Sequence, residues 1–392
     1  MRTRVLRGLT PAPTGCREPG YRRSVTGSIE NLGSENRLFA PSEAFAAAAN
    51  LKADAWDHAT DPVAFWETQA ARLDWHEPWH TGHTWTPADA HGTIPVAEWF
   101  IGGKLNVAVN CVDRHVDAGH GDRVAINFEG EPGDRETVTY AELQKRVAKA
   151  AHALEELGIT KGDRVVVYLP VIPETIVVTL AIARIGAVHS LVFGGFSAEA
   201  LRFRVEDTGA KLLVTSDGQY RRGVAVPVKE AADAAVAGVA SIEHVLVINR
   251  TDSEIPWTDG RDVWWHDLVE KQSDVHDPQF FDSETPLFII YTSGTTGTPK
   301  GLVHTSGGYL TQASWSHWAV FDHKESDVYW CTADLAWVTA HTYVLYGPFS
   351  NGATSVIYEG TPNTPHPGRH FEIIQRYGVT PITRRPPSSA RS

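Results

Sequence analysis

Cysteine is scarce in this chain: three residues in 392, at Cys16, Cys111 and Cys331. They are odd in number, far apart and without metal-ligand spacing. That excludes a disulfide framework and fits a reducing, cytoplasmic setting. Long apolar runs are missing too. None approaches the roughly 18 residues of a membrane span, so no membrane partner is expected. Positive charge is outweighed: 35 Lys and Arg stand against 47 Asp and Glu, a net charge of −12. This balance argues against nucleic acid or a membrane surface as a partner. No internal repeat or coiled-coil heptad is visible. The 18 histidines are scattered. His76, His80 and His83 lie close together in a loop-like Trp/Pro setting that reads as surface, so no metal site is expected.

What is present is an ordinary globular composition, 42% apolar and 21% charged, on a chain long enough for two or three domains. The first two dozen residues stand apart. Arg2, Arg4, Arg7, Arg17, Arg22 and Arg23 face one acid, Glu18. Such starts occur in mitochondrial presequences, but Pro11, Pro13 and Pro19 would break the helix those require. Residues 1–40 are therefore expected to be a disordered extension, or to reflect a mis-assigned start codon with Val25 as initiator. Residues 41–115 hold Trp56, Trp66, Trp75, Trp79, Trp85 and Trp99, six of the 13 tryptophans, which usually anchor packing.

From Val138 the pattern alternates. Thr139 and Glu142 form a capping box before a helix with Leu143, Val147, Ala150, Ala151, Leu154 and Leu157 on one face. Val165–Leu169 reads as a strand, Pro173 opens a helix to Ile185, Val188–Phe193 is a strand, and Ser197 caps another helix. Further strands are expected at 211–215, 245–248, 287–292, 327–331 and 354–358, with a helix over 368–377. The stretches near 130 and 251–260 read as surface loops. Short apolar strands alternating with helices predict an α/β fold of helix-covered, mostly parallel sheets.

The most informative stretch is Tyr291-Thr-Ser-Gly-Thr-Thr-Gly-Thr-Pro-Lys300-Gly301. It follows a strand and precedes a segment that reads as helical. Small residues let the backbone approach a polyphosphate, hydroxyls and N–H groups can surround its oxygens, and Lys300 adds a mobile positive charge. Pro299 before Lys300 rules out a Walker A loop. The bland reading is a flexible Gly/Thr linker.

This loop resembles the signature phosphate loop of the adenylate-forming superfamily of acyl-CoA synthetases, luciferases and peptide-synthetase adenylation domains. Segments around it are similar to acetyl-CoA synthetases: 105–106, 110–114, 192–196, 304–310, 329–334, 337–339, 346–348 and 358–362. The resemblance runs from about residue 40 to 380. It implies the large N-terminal domain of the adenylate-forming fold over 116–380, preceded by a family-specific segment at 41–115, with the small C-terminal domain missing. It also implies the reaction of acetate, ATP and CoA to acetyl-CoA, AMP and pyrophosphate, with Mg²⁺ bridging the ATP phosphates.

By that resemblance, Thr292, Ser293, Gly294, Thr295, Thr296, Gly297 and Lys300 bind ATP. Trp337, Val338 and Thr339 form the acetate pocket, and Lys300 and Thr339 serve catalysis. Gly195, Arg221, Arg222, Gly223, Val224, Thr339 and Asn363 contact CoA, the arginines suiting its 3′-phosphate. The chain departs from the family pattern at Ala336 and Ala340, usually Gly, and at Val224, usually basic. Competing readings are a buried helix start at 337–339 and an ordinary solvated loop at 221–222. Carboxylates titrate near 4, so acetate attacks the α-phosphate without a general base; charge screening and in-line placement are the main requirements.

Residues 381–392 do not read as a buried strand. With CGN arginine codons and TCN serine codons, starting each triplet one base early permits Tyr-Tyr-Thr-Ala-Pro-Thr-Leu-Ile-Arg-Thr-Phe, which is similar to the family sequence at this point. The tail is therefore expected to be frameshifted and the chain as written an inactive truncation. Alternatives are a non-catalytic ATP- or CoA-binding remnant and a propionate or other short-chain ligase. The oligomeric state is not legible.

Overall fold

The computed structural model describes residues 39–52, 54–55, 60–89, 92, 94–292, 299–361 and 363–383. The expectations for residues 1–38 and for the tail beyond 383 lie outside these, as do Ser293, Gly294, Thr295, Thr296 and Gly297 of the expected phosphate loop. The chain divides into two compact units, residues 1–48 and 49–392. The described part of the first contains one helix, α1 (Glu43–Ala48), with no buried residue.

In the second unit, Asp61 caps α2 (Pro62–Ala70), accepting from the Val63 and Ala64 N–H groups at 3.1 Å. A hairpin follows, β1 (Thr81–Thr86) with β2 (Val96–Ile101). The tryptophans here pack edge to face: Trp75 on Trp79 at 5.0 Å, and Trp66 on Trp315 at 5.5 Å. His76 stacks on Phe280 and His83 leans on Trp99, so these histidines serve ring packing and do not converge.

After β3 (Lys104–Leu105) and two π-helical turns (Val109–Asp113 and Val116–His120) come β4 (Val124–Gly130), β5 (Arg135–Thr139) and α3 (Tyr140–Glu156). The 130 region, expected as a surface loop, is the tight connection of the β4–β5 hairpin. Thr139 Oγ1 accepts from the Glu142 N–H at 3.2 Å, the capping half of the expected box. Next are β6 (Arg164–Leu169), α4 (Pro173–Arg184), β7 (Val188–Phe193), α5 (Ala198–Thr208), β8 (Leu212–Ser216), a small hairpin of β9 (Gly218–Arg221) and β10 (Val224–Pro227), α6 (Lys229–Val236) and β11 (His244–Ile248). The chain continues through β12 (Asp262–Trp264), α7 (Trp265–Val269), β13 (Phe281–Asp282), β14 (Pro286–Thr292), β15 (Lys300–Thr305) and α8 (Ser306–Val320). It ends with β16 (Val328–Cys331), α9 (Val338–Ala340), a π-helical turn (His341–Tyr346), α10 (Gly347–Ser350), β17 (Thr354–Glu359), α11 (Arg369–Tyr377) and β18 (Ile382–Thr383).

Seven strands form one sheet in the order β12-β11-β8-β6-β7-β14-β15; all are parallel except β15. Alternation along β6 explains its two-sided core. Val165, Val167 and Leu169 join one apolar cluster with α3 and α4, while Val166 and Tyr168 join another with α5 and α6. A strand buried on both faces reads as a continuous apolar run, as parallel strands do. A second sheet has the order β18-β16-β17-β4-β5, with only β5 antiparallel.

Two expectations are corrected. The segment after the phosphate loop begins as a strand, not a helix: β15 pairs antiparallel with β14, Thr292 opposite Lys300, and the helix starts at Ser306. This pairing satisfies the backbone edge of β14, a demand helix formation at 300 would leave open. The expected non-strand tail begins later than residue 381. Ile382 and Thr383 pair with Trp330 and Cys331 at the sheet edge, and neither is buried.

Candidate active site

The expected site residues fall in separate segments of the chain. Thr292 closes β14 and Lys300 opens β15, directly opposite each other and both exposed. Lys300 has no carboxylate partner among the described residues. Tyr291, just before the loop, is pinned: its hydroxyl donates to Asp207 at 2.5 Å and Arg204 lies over its ring.

Trp337, Val338 and Thr339 start α9 and are all exposed, Trp337 at 64%. The backbone beneath them is held from below. The His341 Nδ1–H donates to the Trp337 carbonyl at 3.0 Å, and the Thr342 hydroxyl donates to the Val338 carbonyl at 3.0 Å. Thr342 is bonded in turn to the Tyr309 hydroxyl at 2.7 Å. His341 is fully buried, stacked with His189 and tilted against Phe288. Burial pushes its pKa down to about 4 despite the bond to Trp337, so it is neutral at pH 7. Ala340 is buried against this support.

Arg221 ends β9, and Arg222 and Gly223 form the two-residue turn into β10. Both have positive φ, 55° and 79°, the pattern of a type I′ hairpin. Val224 is exposed at 57%. Glu131, from the β4–β5 connection, organises the turn. Its carboxylate accepts from the Gly223 N–H at 2.8 Å, and from the Thr361 N–H and hydroxyl at 2.8 and 3.2 Å. Burial would raise its pKa, but these donors and the Arg222 N–H outweigh that and hold it below the usual carboxylate range. Glu131 thereby ties the 221–224 turn to the 361–364 loop, where Asn363 is exposed.

The Arg221 guanidinium covers the Phe193 ring at 4.8 Å. A Cβ on Gly195 would strike that ring at 2.5 Å, which gives Gly195 a packing reason for being glycine. Asp334, before the Trp337 turn, has its pKa raised by burial, partly offset by the Ala336 N–H and the Arg221 charge. Residue-type reasoning missed Glu131, His341 and Thr342. Their partners are distant in sequence or lie one helical turn away, and no local motif marks them.

Among the described residues one group has metal-ligand spacing: His152, Glu155 and His276. Arg184 Nε donates to His276 Nδ1 at 3.2 Å, so the proton sits on Nε2, which faces Glu155 at 3.4 Å. His276 thus presents a donor where a metal needs a lone pair. Arg184 is itself buried and paired bidentately with Asp113 at 2.8 and 3.0 Å, and the trio reads as a hydrogen-bonded brace.

This fold and loop arrangement belongs with known proteins. Residues 112–388 match the AMP-binding enzyme family, and the chain belongs to it. Residues 54–111 match the acetyl-coenzyme A synthetase N-terminus. The chain is 60% identical over 362 residues to an acetyl-coenzyme A synthetase of Streptomyces avermitilis, covering 92% of this chain and 54% of that protein. It is 60% identical over 345 residues to one of Mycolicibacterium smegmatis, covering 87% and 36%, and 47% identical over 370 residues to one of Deinococcus radiodurans, covering 93% and 56%. The chain spans about half the length of most of the curated relatives it matches. Among the described residues no helix is long and apolar enough to cross a membrane.

Proposed function

We propose that the chain carries the phosphate-gripping and acid-binding part of an acetate–CoA ligase. That enzyme forms acetyl-AMP from acetate and ATP, then acetyl-CoA, releasing AMP and pyrophosphate. The observation that carries this reading is the pairing of Thr292 with Lys300 at the two ends of the Gly/Thr loop, in a chain 60% identical to acetyl-coenzyme A synthetases.

In this reading Thr292, the 293–297 loop and Lys300 hold the β- and γ-phosphates, and Lys300 screens their charge. Trp337, Val338 and Thr339 line the acid site; the bulky indole and β-branched wall suit a two-carbon acid over propionate. Arg221 and Arg222 take the 3′-phosphate of CoA, with Gly195, Gly223, Val224, Thr339 and Asn363 along its path. Mg²⁺ would arrive on the nucleotide. Among the described residues this end of the sheet offers the Thr292 hydroxyl and no group with metal-ligand spacing, which suits an ion coordinated mainly by phosphate oxygens. The ion would screen phosphate charge. A reducing cytoplasm is the proposed setting, supported by Cys111 and Cys331 being unpaired and buried.

The test is exchange of labelled pyrophosphate into ATP with acetate, propionate or no acid, and every exchange assay uses the frame-restored chain carried on to the full length of the relatives it matches. Exchange with acetate well above propionate supports the reading. ATP and CoA binding without exchange under any acid would favour a non-catalytic binding protein.

A further inference from the structure

A cleft of 520 Å³ lies at the junction of the α2 exit, the second π-helical turn and the loop after α8, and shares no residue with the segments assigned above. Its charge is unusual for a chain of net charge −12. Three guanidinium groups, Arg72, Arg114 and Arg123, line it with two carboxylates, Asp74 and Glu325. Asp74 stands 3.7 Å from Arg114, and Glu325 pairs with Arg123. Arg72 has no carboxylate partner among the described residues. It lies over the Trp318 ring at 4.2 Å, with one Nη 3.3 Å from Asn351 Oδ1.

The cations are held in place by backbone. Arg114 donates to the Arg72 carbonyl at 3.0 Å and to the Ser350 carbonyl; Arg123 donates to the Gly352 carbonyl at 3.1 Å. The Nε atoms of Arg72 and Arg114 are buried with no partner. His323, also in the lining, is 6% exposed, and its Nδ1 has no hydrogen-bond partner; the nearest carboxylate, Asp327, is 3.8 Å away. Burial first, and then the Arg114 charge, lower the Arg72 pKa, the signature of a cation lacking a counter-charge. Crowded, fixed guanidinium forks of this kind, with one positive charge in excess of the two carboxylates, favour a small oxyanion with several acceptor oxygens.

We propose that this cleft binds a small oxyanion of the phosphate class, with Arg72 as its principal contact and Arg114 and Arg123 flanking it. Free phosphate, pyrophosphate and phosphate esters share this chemistry.

Calorimetric titration of the full chain with inorganic phosphate, and separately with pyrophosphate, tests the site at constant ionic strength. All titrations use the Lys300→Ala background, so that the phosphate loop contributes little. Arg72→Gln is expected to weaken the tighter-binding anion at least about tenfold, the loss of one charge-assisted contact. Asp74→Asn, which removes competing negative charge and leaves Arg72 in place, is expected to tighten it several-fold. Arg202→Gln, at a half-buried arginine paired with Glu206 on α5, should change affinity less than twofold. Whichever anion binds tighter identifies the phosphoryl content the cleft accepts. The proposal is overturned if neither anion binds saturably at millimolar concentration. It is equally overturned if Arg72→Gln and Asp74→Asn leave affinity unchanged, or if Arg202→Gln weakens binding as much as Arg72→Gln does.

Discussion

Glu131→Gln should separate the two half-reactions. The Glu131 carboxylate accepts the Gly223 N–H and the Thr361 N–H, both at 2.8 Å, and so fixes the turn that carries Arg221 and Arg222. Glutamine keeps the shape but turns an NH₂ group toward backbone donors, so at least one charge-assisted bond is lost, roughly 1.5–3 kcal/mol. The loss falls on a turn already under tension, because Arg222 sits at φ 55°, which costs a non-glycine residue about 1 kcal/mol. The turn should therefore open while both sheets stay intact. CoA affinity, measured by calorimetry, is expected to fall about 10- to 100-fold, while acetate-dependent pyrophosphate exchange changes less than threefold. A folded Glu131→Gln protein with unchanged CoA affinity would refute the reasoning. So would an equal loss of exchange and CoA binding, which would mean the turn serves adenylation too.

Lys300→Ala should lower exchange about 10²- to 10³-fold, the usual effect of removing one preorganised electrostatic contact, with an unchanged melting temperature because the side chain is exposed. Gly223→Ala meets nothing closer than Thr364 Cγ2 at 3.9 Å. Its cost should be that of φ 79° alone, about 1 kcal/mol in urea unfolding. Stability should also fall in acid. The His341 pKa is lowered from 6.5 to about 4 on folding, so its contribution is complete above pH 6.5 and lost as pH falls toward 4, by about 3 kcal/mol at pH 4. His341→Asn, which keeps a donor for the Trp337 carbonyl, should flatten that part of the pH–stability curve.

Much of the fold was legible because its physics is local. β6, β7 and β8 are buried on both faces and read as apolar runs, and the Thr139 cap marks α3. β15 was not legible as a strand. It is an edge strand with Leu302 and Val303 exposed, and only its pairing with β14 distinguishes it from a helix start. The β4–β5 hairpin was hidden by turn residues that also suit a loop. At the site, the Gly/Thr loop, the 337 turn and the arginine pair were visible as residue types in sequence. Glu131 and His341 were not, since their roles exist only through contacts to Gly223, Thr361 and Trp337.

The most direct measurement is a trapping experiment. The chain, frame-restored and carried on to the full length of the relatives it matches, is incubated with labelled acetate, ATP and Mg²⁺ in the absence of CoA, quenched, and analysed for acetyl-adenylate. Protein-bound labelled acetyl-AMP should form with equimolar release of pyrophosphate, and convert to labelled acetyl-CoA when CoA is added. Failure to form acetyl-AMP by protein that is folded and binds ATP would contradict adenylation chemistry at this site.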